Sequence, residues 1–442
     1  MSIYNSNIQT RTIDSVFDRK NFRTEFRLSS NDACYLSNWR LVGMGIQTSA
    51  AQGEPMNPIL GAWCIDSIQL YDGNQLLDQV LNADLWKAFS NFNNSNDENM
   101  SVNGWIEKND FCFTLLTQNA ASDNWQDWNT GGDNLPKKED VQVLTGLAQE
   151  FTNSTINGDQ TAASWLALKG FLPFLSSSLY VPSAVYKNLR LVINWKNQSQ
   201  LKEIAVDPTQ TYNTFENTSL IVDMVMDEKS KKLIVDNYEG VVYKAIEHDR
   251  VHVNQINPSA GSSQVQNNRF LVNGFNNKTV EKLVVVQSPT DPTTYQDSGA
   301  NVGIGAMSSM AQLNNTFQFR VNGQNKLPRD GFTRKNQRLA ALVDTYGECV
   351  LPTSCNFVYV PNAAPLLLGA DSDGFVKEMQ GHVDWTAIEI REPVRELIVE
   401  YSRTGVHGNA DLNQSLRLNL FGECVKAVSV NKKDMSYVVQ YL

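Results

Sequence analysis

The chain has 442 residues, more than one ordinary core accommodates, and a prior of ~150 residues per domain allows two or three domains. Only 19% of residues are charged and the polar balance comes from Asn, Gln, Ser and Thr; this suits strands joined by turns, suits long helices poorly, and recurring apolar runs exclude disorder for most of the chain. The net charge of −10, from 37 basic and 47 acidic residues, argues against a protein whose task is to grip phosphate backbones.

The opening residues, MSIYNSNIQTRTIDS, lack the apolar core of a secretory signal, and no segment reaches the ~18 apolar residues that span a bilayer. Arg11, Arg19, Lys20, Arg23 and Arg27 are interleaved with Asp14, Asp18 and Glu25, which favours a solvated strand edge over a nucleic-acid contact. A strand is expected near Phe26–Leu28, then a polar bend and a strand from Trp39 to Ile46. SIQLYDGNQLLDQ follows, with a hairpin expected at Asp72-Gly73. The segment Asn91–Gln160 reads as a long decorated loop rich in Trp, with a helix over Leu135–Phe151, where Val141, Leu144, Leu147 and Phe151 keep helical spacing. NLRLVINWK, ending at Lys196, and NTSLIVDMVMDE, Asn217 to Glu228, are strands of period two.

The charged stretch DEKSKK, Asp227 to Lys232, is the expected boundary between two halves, and the elements then recur. Strands at Phe270–Val272 and Val280–Gln287 match the opening pair. A hairpin at Asn322-Gly323 matches the first hairpin, and Arg334–Gly347 is a second candidate helix. RELIVEYSR, ending at Arg403, matches NLRLVINWK. In NQSLRLNLFGEC, Asn413 to Cys424, pairing Ser415 with Ser219 sets Leu416, Leu418 and Leu420 opposite Leu220, Val222 and Met224. The order of recurrence implies an all-β chain of two tandem eight-stranded jelly rolls, residues 1–229 with the inserted loop at about 91–160, and residues 230–442. Greek-key sandwiches with the same strand number remain open.

Chemistry is sparse. The four histidines are His248, His252, His382 and His407. His248 and His252 have the spacing of a helical metal pair, but EHDRVHVN reads as strand, which sets them about 13 Å apart on one face. The cysteines Cys34, Cys64, Cys112, Cys349, Cys355 and Cys424 are dilute and are expected to be reduced, mostly buried thiols. Glu389, Glu392, Glu396 and Glu400 could feed a glycosidase reading, yet they fall on both faces of a strand interrupted by Pro393. No P-loop, GxSxG or GxGxxG motif occurs. The expectation is therefore no enzyme, with no catalytic residue, no cofactor-binding residue, no metal ligand and no cofactor.

A duplicated β unit without catalytic residues resembles the double-jelly-roll major capsid proteins of tailless icosahedral double-stranded DNA viruses, above all those of virophages and polinton-like viruses. The strings that carry the resemblance are NTFQFRVNGQNKLPRDGF (Asn315–Phe332), GFLPFLSSSLYVPSAVYKNLRLVINW (Gly170–Trp195) and LNLFGECVKAVSVN (Leu418–Asn431). The resemblance implies two jelly rolls side by side, homotrimers forming pseudo-hexagonal capsomers, and a place in the virion after assembly inside the host cell without a signal peptide. It implies neighbouring capsomers, penton proteins and minor capsid proteins as partners, and no specific nucleic acid; an internal membrane stays open. Two other classes stay open beside it: a tandem-sandwich carbohydrate-binding or adhesion protein, favoured by the Trp-rich loop, and a jelly-roll hydrolase built on Glu389–Glu400.

In the long loop, Trp105, Phe111, Phe113, Trp125 and Trp128 have no obvious sheet to cover, and aromatic residues are common anchors of interfaces. The loop is expected to clasp a neighbouring chain or to pack on top of its own unit beside the three-fold axis. Deleting Asn119–Gly132 should leave a folded β protein that sediments as a monomer; a deletion variant that still sediments as a trimer refutes the assignment.

Overall fold

The computed structural model describes residues 8–16, 22–28, 33–42, 47–48, 65–83, 86, 165–196, 212–213, 218–290, 315–328, 331–333, 335–346, 386–408 and 413–442. The expected helix Leu135–Phe151, the aromatic residues of the long loop, Cys64, Cys112, Cys349, Cys355 and His382 lie outside the described residues.

The first half supplies β1 (Ile8–Asp14), β2 (Arg23–Leu28), β3 (Cys34–Leu36), β4 (Arg40–Val42), β5 (Gln47–Thr48), β6 (Ile65–Asp72), β7 (Gln75–Leu81), β8 (Trp165–Ala167), the short helix α1 (Pro173–Ser177), β9 (Tyr180–Pro182), β10 (Leu189–Trp195), β11 (Tyr212–Asn213) and β12 (Ser219–Val225). In β10 the period of two sends Leu189, Leu191, Ile193 and Trp195 to one buried face. The charged stretch Asp227 to Lys232 opens helix α2 (Glu228–Asn237), which lies between β12 and the next strand. The Asp227 carboxylate caps that helix, accepting from Ser230 N at 2.7 Å and Ser230 Oγ at 2.6 Å.

The second half supplies β13 (Gly240–Val253), β14 (Ser263–Val272), β15 (Lys278–Pro289), β16 (Asn315–Val321), β17 (Gln324–Asn325), helix α3 (Lys335–Tyr346), β18 (Thr386–Val394), β19 (Leu397–Val406), β20 (Leu416–Asn431) and β21 (Ser436–Tyr441). Helix α3 falls where periodicity places it.

No described sheet mixes strands from the two halves. In the second, β13-β20-β15-β18 form one sheet, with β21 added on β20, and β14-β19-β16-β17 the other; counting β13 to β20 as 1 to 8, the orders are 1-8-3-6 and 2-7-4-5. The first half repeats both orders. Its β2-β10-β6-β7 sheet is 2-7-4-5; its other sheet is β1-β12 followed by two broken places, β3 with β4 and β9 with β8. All strands pair antiparallel. Thus β12 and β20 occupy the same place, as the pairing of Ser219 with Ser415 requires. The fold is a double jelly roll.

The hairpins differ in detail. Asn322 and Gly323 are the two loop residues between β16 and β17, both at positive φ (50° and 82°), the combination a tight, twisted hairpin prefers. The first hairpin turns one residue later than expected: Asp72 pairs with Gln75, so the loop residues are Gly73 and Asn74. Keeping Asp72 in the ladder frees its carboxylate, which accepts from Asn188 N at 2.6 Å and from Tyr437 Oη at 2.8 Å. The pairing then slips between Leu70 and Tyr71, leaving Leu77 as a bulge.

The strands β13 and β20 pair from Gly240–Ser429 to Val253–Leu416, a run of roughly 45 Å at strand rise. One face of this pair serves two cores. Toward one end, Val253, Leu416, Leu418 and Leu420 cluster with Phe317, Phe319, Val399 and Tyr401 of their own partner sheet. Toward the other, Val241, Tyr243 and Val428, on the same face, cluster with Leu70, Leu77, Phe174 and Tyr186 of the first half. On the opposite face, Phe421 meets the Trp86 ring at 5.6 Å and the His248 ring at 4.9 Å.

Phe421 is fully buried, whereas Val438 on β21 is 62% exposed. Phe421→Ala is expected to destabilise the protein by about 3–5 kcal/mol and Val438→Ala by less than about 0.5 kcal/mol. Urea unfolding midpoints check the contrast.

Candidate functional site

The residues that sequence singles out do not converge. His248 and His252 both lie on β13, but His248 Nε2 sits 2.9 Å from Asn82 Nδ2, while His252 Nδ1 lies 3.5 Å from Thr290 Oγ1. His407 Nδ1 is 3.0 Å from the Pro258 carbonyl oxygen. Glu389 and Glu392 belong to β18 and Glu400 to β19, in different sheets. Each faces a cation: Arg391 lies 2.9 Å from Glu389, Lys326 pairs with Glu392, and Glu400 lies 3.7 Å from Arg320 and 3.8 Å from Arg269. Glu396 contributes its backbone, donating N–H to Asn322 Oδ1 at 3.3 Å. Among the described residues, no group of three or more His, Cys, Asp or Glu side chains could hold a metal ion, and no helix is long and apolar enough to cross a membrane.

Cys34 and Cys424 are buried free thiols. Burial pushes Cys34 up to about 11, against the opposing pull of Lys231. Burial, helped by Glu247, pushes Cys424 up to about 12.

Polar groups converge instead at the seam between the halves, and there the Leu77 bulge matters. A bulged residue leaves the ladder, so its carbonyl is free to accept from elsewhere. Lys426 Nζ on β20 donates to the Leu77 carbonyl at 2.8 Å, and Tyr243 Oη on β13 donates to the same oxygen. Next to it Asp78 is fully buried; its carboxylate accepts from Phe174 N at 2.8 Å and Gln79 N at 2.9 Å. Burial pushes the Asp78 carboxyl up to about 7, against the pull of these N–H groups and of Lys426. Burial likewise lowers Lys426, against Asp78 and Glu247.

Around this pair the second half builds a satisfied network. Glu247 accepts from Lys278 Nζ at 2.9 Å and from Tyr441 Oη. Two ammonium groups lie over the Tyr441 ring, Lys278 at 4.7 Å and Lys426 at 5.2 Å from its centroid. Aromatic contacts complete the seam: Phe174 stands edge-on to Tyr186 and Tyr243, each at 5.6 Å, and Tyr186 meets Tyr437 at 5.2 Å. What this arrangement does chemically is fix one half on the other. The signal in the sequence is parity: Asp78 shares an inward parity with Val80, and Lys426 lies between Cys424 and Val428 on one face.

No family model matches the chain, and no curated protein matches it. Three solved structures share its fold along its whole length. The mavirus major capsid protein is 9% identical, with 100% of this chain and 93% of that chain covered and a TM-score of 0.51. A chain of the Sputnik virophage is 10% identical, with 100% and 90% covered and a TM-score of 0.51. PBCV-1 VP54, fitted into a reconstruction of Sputnik, is 11% identical, with 100% and 99% covered and a TM-score of 0.50. The double jelly roll of this chain is the fold of these capsid proteins.

The raised thiols generate a test. Cys34 and Cys424 should resist alkylation in the folded protein at neutral pH and react once it is unfolded, with no native disulfide at either; peptide mass spectrometry under non-reducing conditions reads both.

Proposed function

We propose that this chain is a viral major capsid protein: a structural, non-enzymatic subunit whose homotrimers form pseudo-hexagonal capsomers that tile an icosahedral shell. The observation that carries the reading is the duplication. Two units of identical strand order are fused in one chain and locked together by buried contacts. Three such chains place six similar units around a three-fold axis, which fills a hexagonal lattice while requiring only one kind of subunit contact. The fold shared end to end with the mavirus protein supports this reading.

We read residues 1–229 and 230–442 as the two jelly rolls, with no catalytic, cofactor-binding or metal-ligating residue in either. The expected partners are further copies of the chain, then penton and minor capsid proteins, and the expected location is the virion. The net charge of −10 fits a wall that does not itself condense nucleic acid.

Sedimentation of the purified full chain, followed by negative-stain imaging, tests the proposal. The expected result is a species of three times the chain mass that appears as hexagonal particles or shells. A monomer at every concentration, with no hexagonal particle in any field, would sink it.

A further inference from the structure

The seam contains a feature that holding two halves together does not require. A fully buried carboxylate, Asp78, sits one residue from the carbonyl that anchors the Lys426 ammonium. An apolar residue at this position would fill the space without a desolvation penalty. The ammonium holds the Leu77 carbonyl and acts through its charge on the Asp78 carboxyl, the next residue of β7, so the balance at the seam depends on a proton.

We propose that Lys426 and Asp78 form a proton-operated latch between the two jelly rolls. With Asp78 neutral, Lys426 holds the Leu77 carbonyl beside Tyr243 and the seam stays dry and closed. With Asp78 ionised, a charge is buried at the seam that the nearby ammonium only partly offsets, and the seam loosens to hydrate it. The groups facing Asp78 frame this switch. Strand β13 brings Tyr243 and Glu247, β20 brings Lys426, β21 brings Tyr441, and α1 offers the backbone N–H of Phe174, while Lys278 of β15 holds Glu247. Two ammonium groups face Glu247 alone when Asp78 is neutral, and face two carboxylates when it is ionised.

Burial pushes the Asp78 carboxyl from an ordinary 3.8 up to about 7, so the switch falls near neutral pH. Because the folded carboxyl keeps its proton to higher pH than the unfolded one, its contribution to stability is greatest at acid pH and is lost as pH rises from 3.8 toward about 7. The direction is opposite to that of an ordinary surface ion pair, whose stabilisation is lost on acidification.

Hydrogen exchange of the full chain, read by mass spectrometry at about pH 5.5 and about pH 8.5 and corrected for intrinsic rates, tests the latch. In the unaltered protein, peptides covering β7 and α1 should exchange about tenfold faster at the higher pH. Asp78→Asn, which keeps an acceptor for Phe174 N–H but cannot ionise, should abolish the difference. Glu423→Gln should keep it, although burial also raises Glu423, because that carboxyl faces Lys282 and Tyr346 rather than the latch. Equal exchange of the unaltered seam at both pH values, or an Asp78→Asn protein that retains the difference, overturns the proposal. Should Asp78→Asn fail to fold, Lys426→Met decides: removing the cation should move the loosening to higher pH, and an unchanged midpoint overturns the latch.

Discussion

The structure depends on a mismatch of lengths. Strands β13 and β20 are 14 and 16 residues long, whereas the strands facing them across their own sandwich, β16 and β19, have 7 and 10. The excess carries Val241, Tyr243 and Val428 past the end of the partner sheet, on the face that a period of two has already made apolar. That face must be covered, and the first half covers it with α1, β7 and the aromatic residues around Tyr186. The two jelly rolls are therefore not beads on a linker. The long strands belong to both cores, which fixes the relative position of the halves through continuous backbone.

Apolar burial alone would leave that docking free to slide, since it is non-directional. The polar seam supplies direction. Leu77 offers a carbonyl to Lys426 and Tyr243 only because the β6–β7 ladder slips at that residue. Asp72 reaches Tyr437, and Asn82 reaches His248, at other points along the joint. Buried ion pairs add little net stability once desolvation is counted, but removing one partner leaves a charge stranded. Here their effect is registry: one placement satisfies every member, and a displaced half would bury several unpaired groups.

The parts of this fold written in local pattern were legible from sequence. The turn at Asn322-Gly323 follows from two residues that tolerate positive φ, and α3 follows from helical spacing in RLAALV. The strand equivalence of β12 and β20 follows from matched alternation about Ser219 and Ser415. What was missed depends on partners distant in the chain. Nothing in QLLDQVL announces that Leu77 is extruded from the ladder, because the slip is decided by Asp72 staying paired beside Asn188 and Tyr437. Asp78 and Lys426 carry a parity signal, but a charge at an inward position is informative only once the surface that buries it is known.

The two copies also show how a repeat diverges when its surroundings differ. Asp223 on β12 and Asn419 on β20 are equivalent when Ser219 is paired with Ser415, and both point away from their own sandwich. Asp223 sits beside the edge strand β1, where Thr10 Oγ1 and Asn38 Nδ2 each donate at 2.6 Å and Arg40 Nη2 lies at 2.5 Å. A carboxylate suits that place because a partly exposed guanidinium balances it at little desolvation cost. Asn419 instead lies under the first half, 3% exposed, with its Oδ1 3.4 Å from His248 Nε2. A carboxylate there would need a buried cation or a protonated imidazole, whereas an amide satisfies the same contact without net charge. Both positions are buried, and the one with a guanidinium beside it keeps the charge. Gene duplication can supply two identical tiles, but fusing them side by side makes their outer faces physically unlike, and the difference between Asp223 and Asn419 is the residue-level consequence.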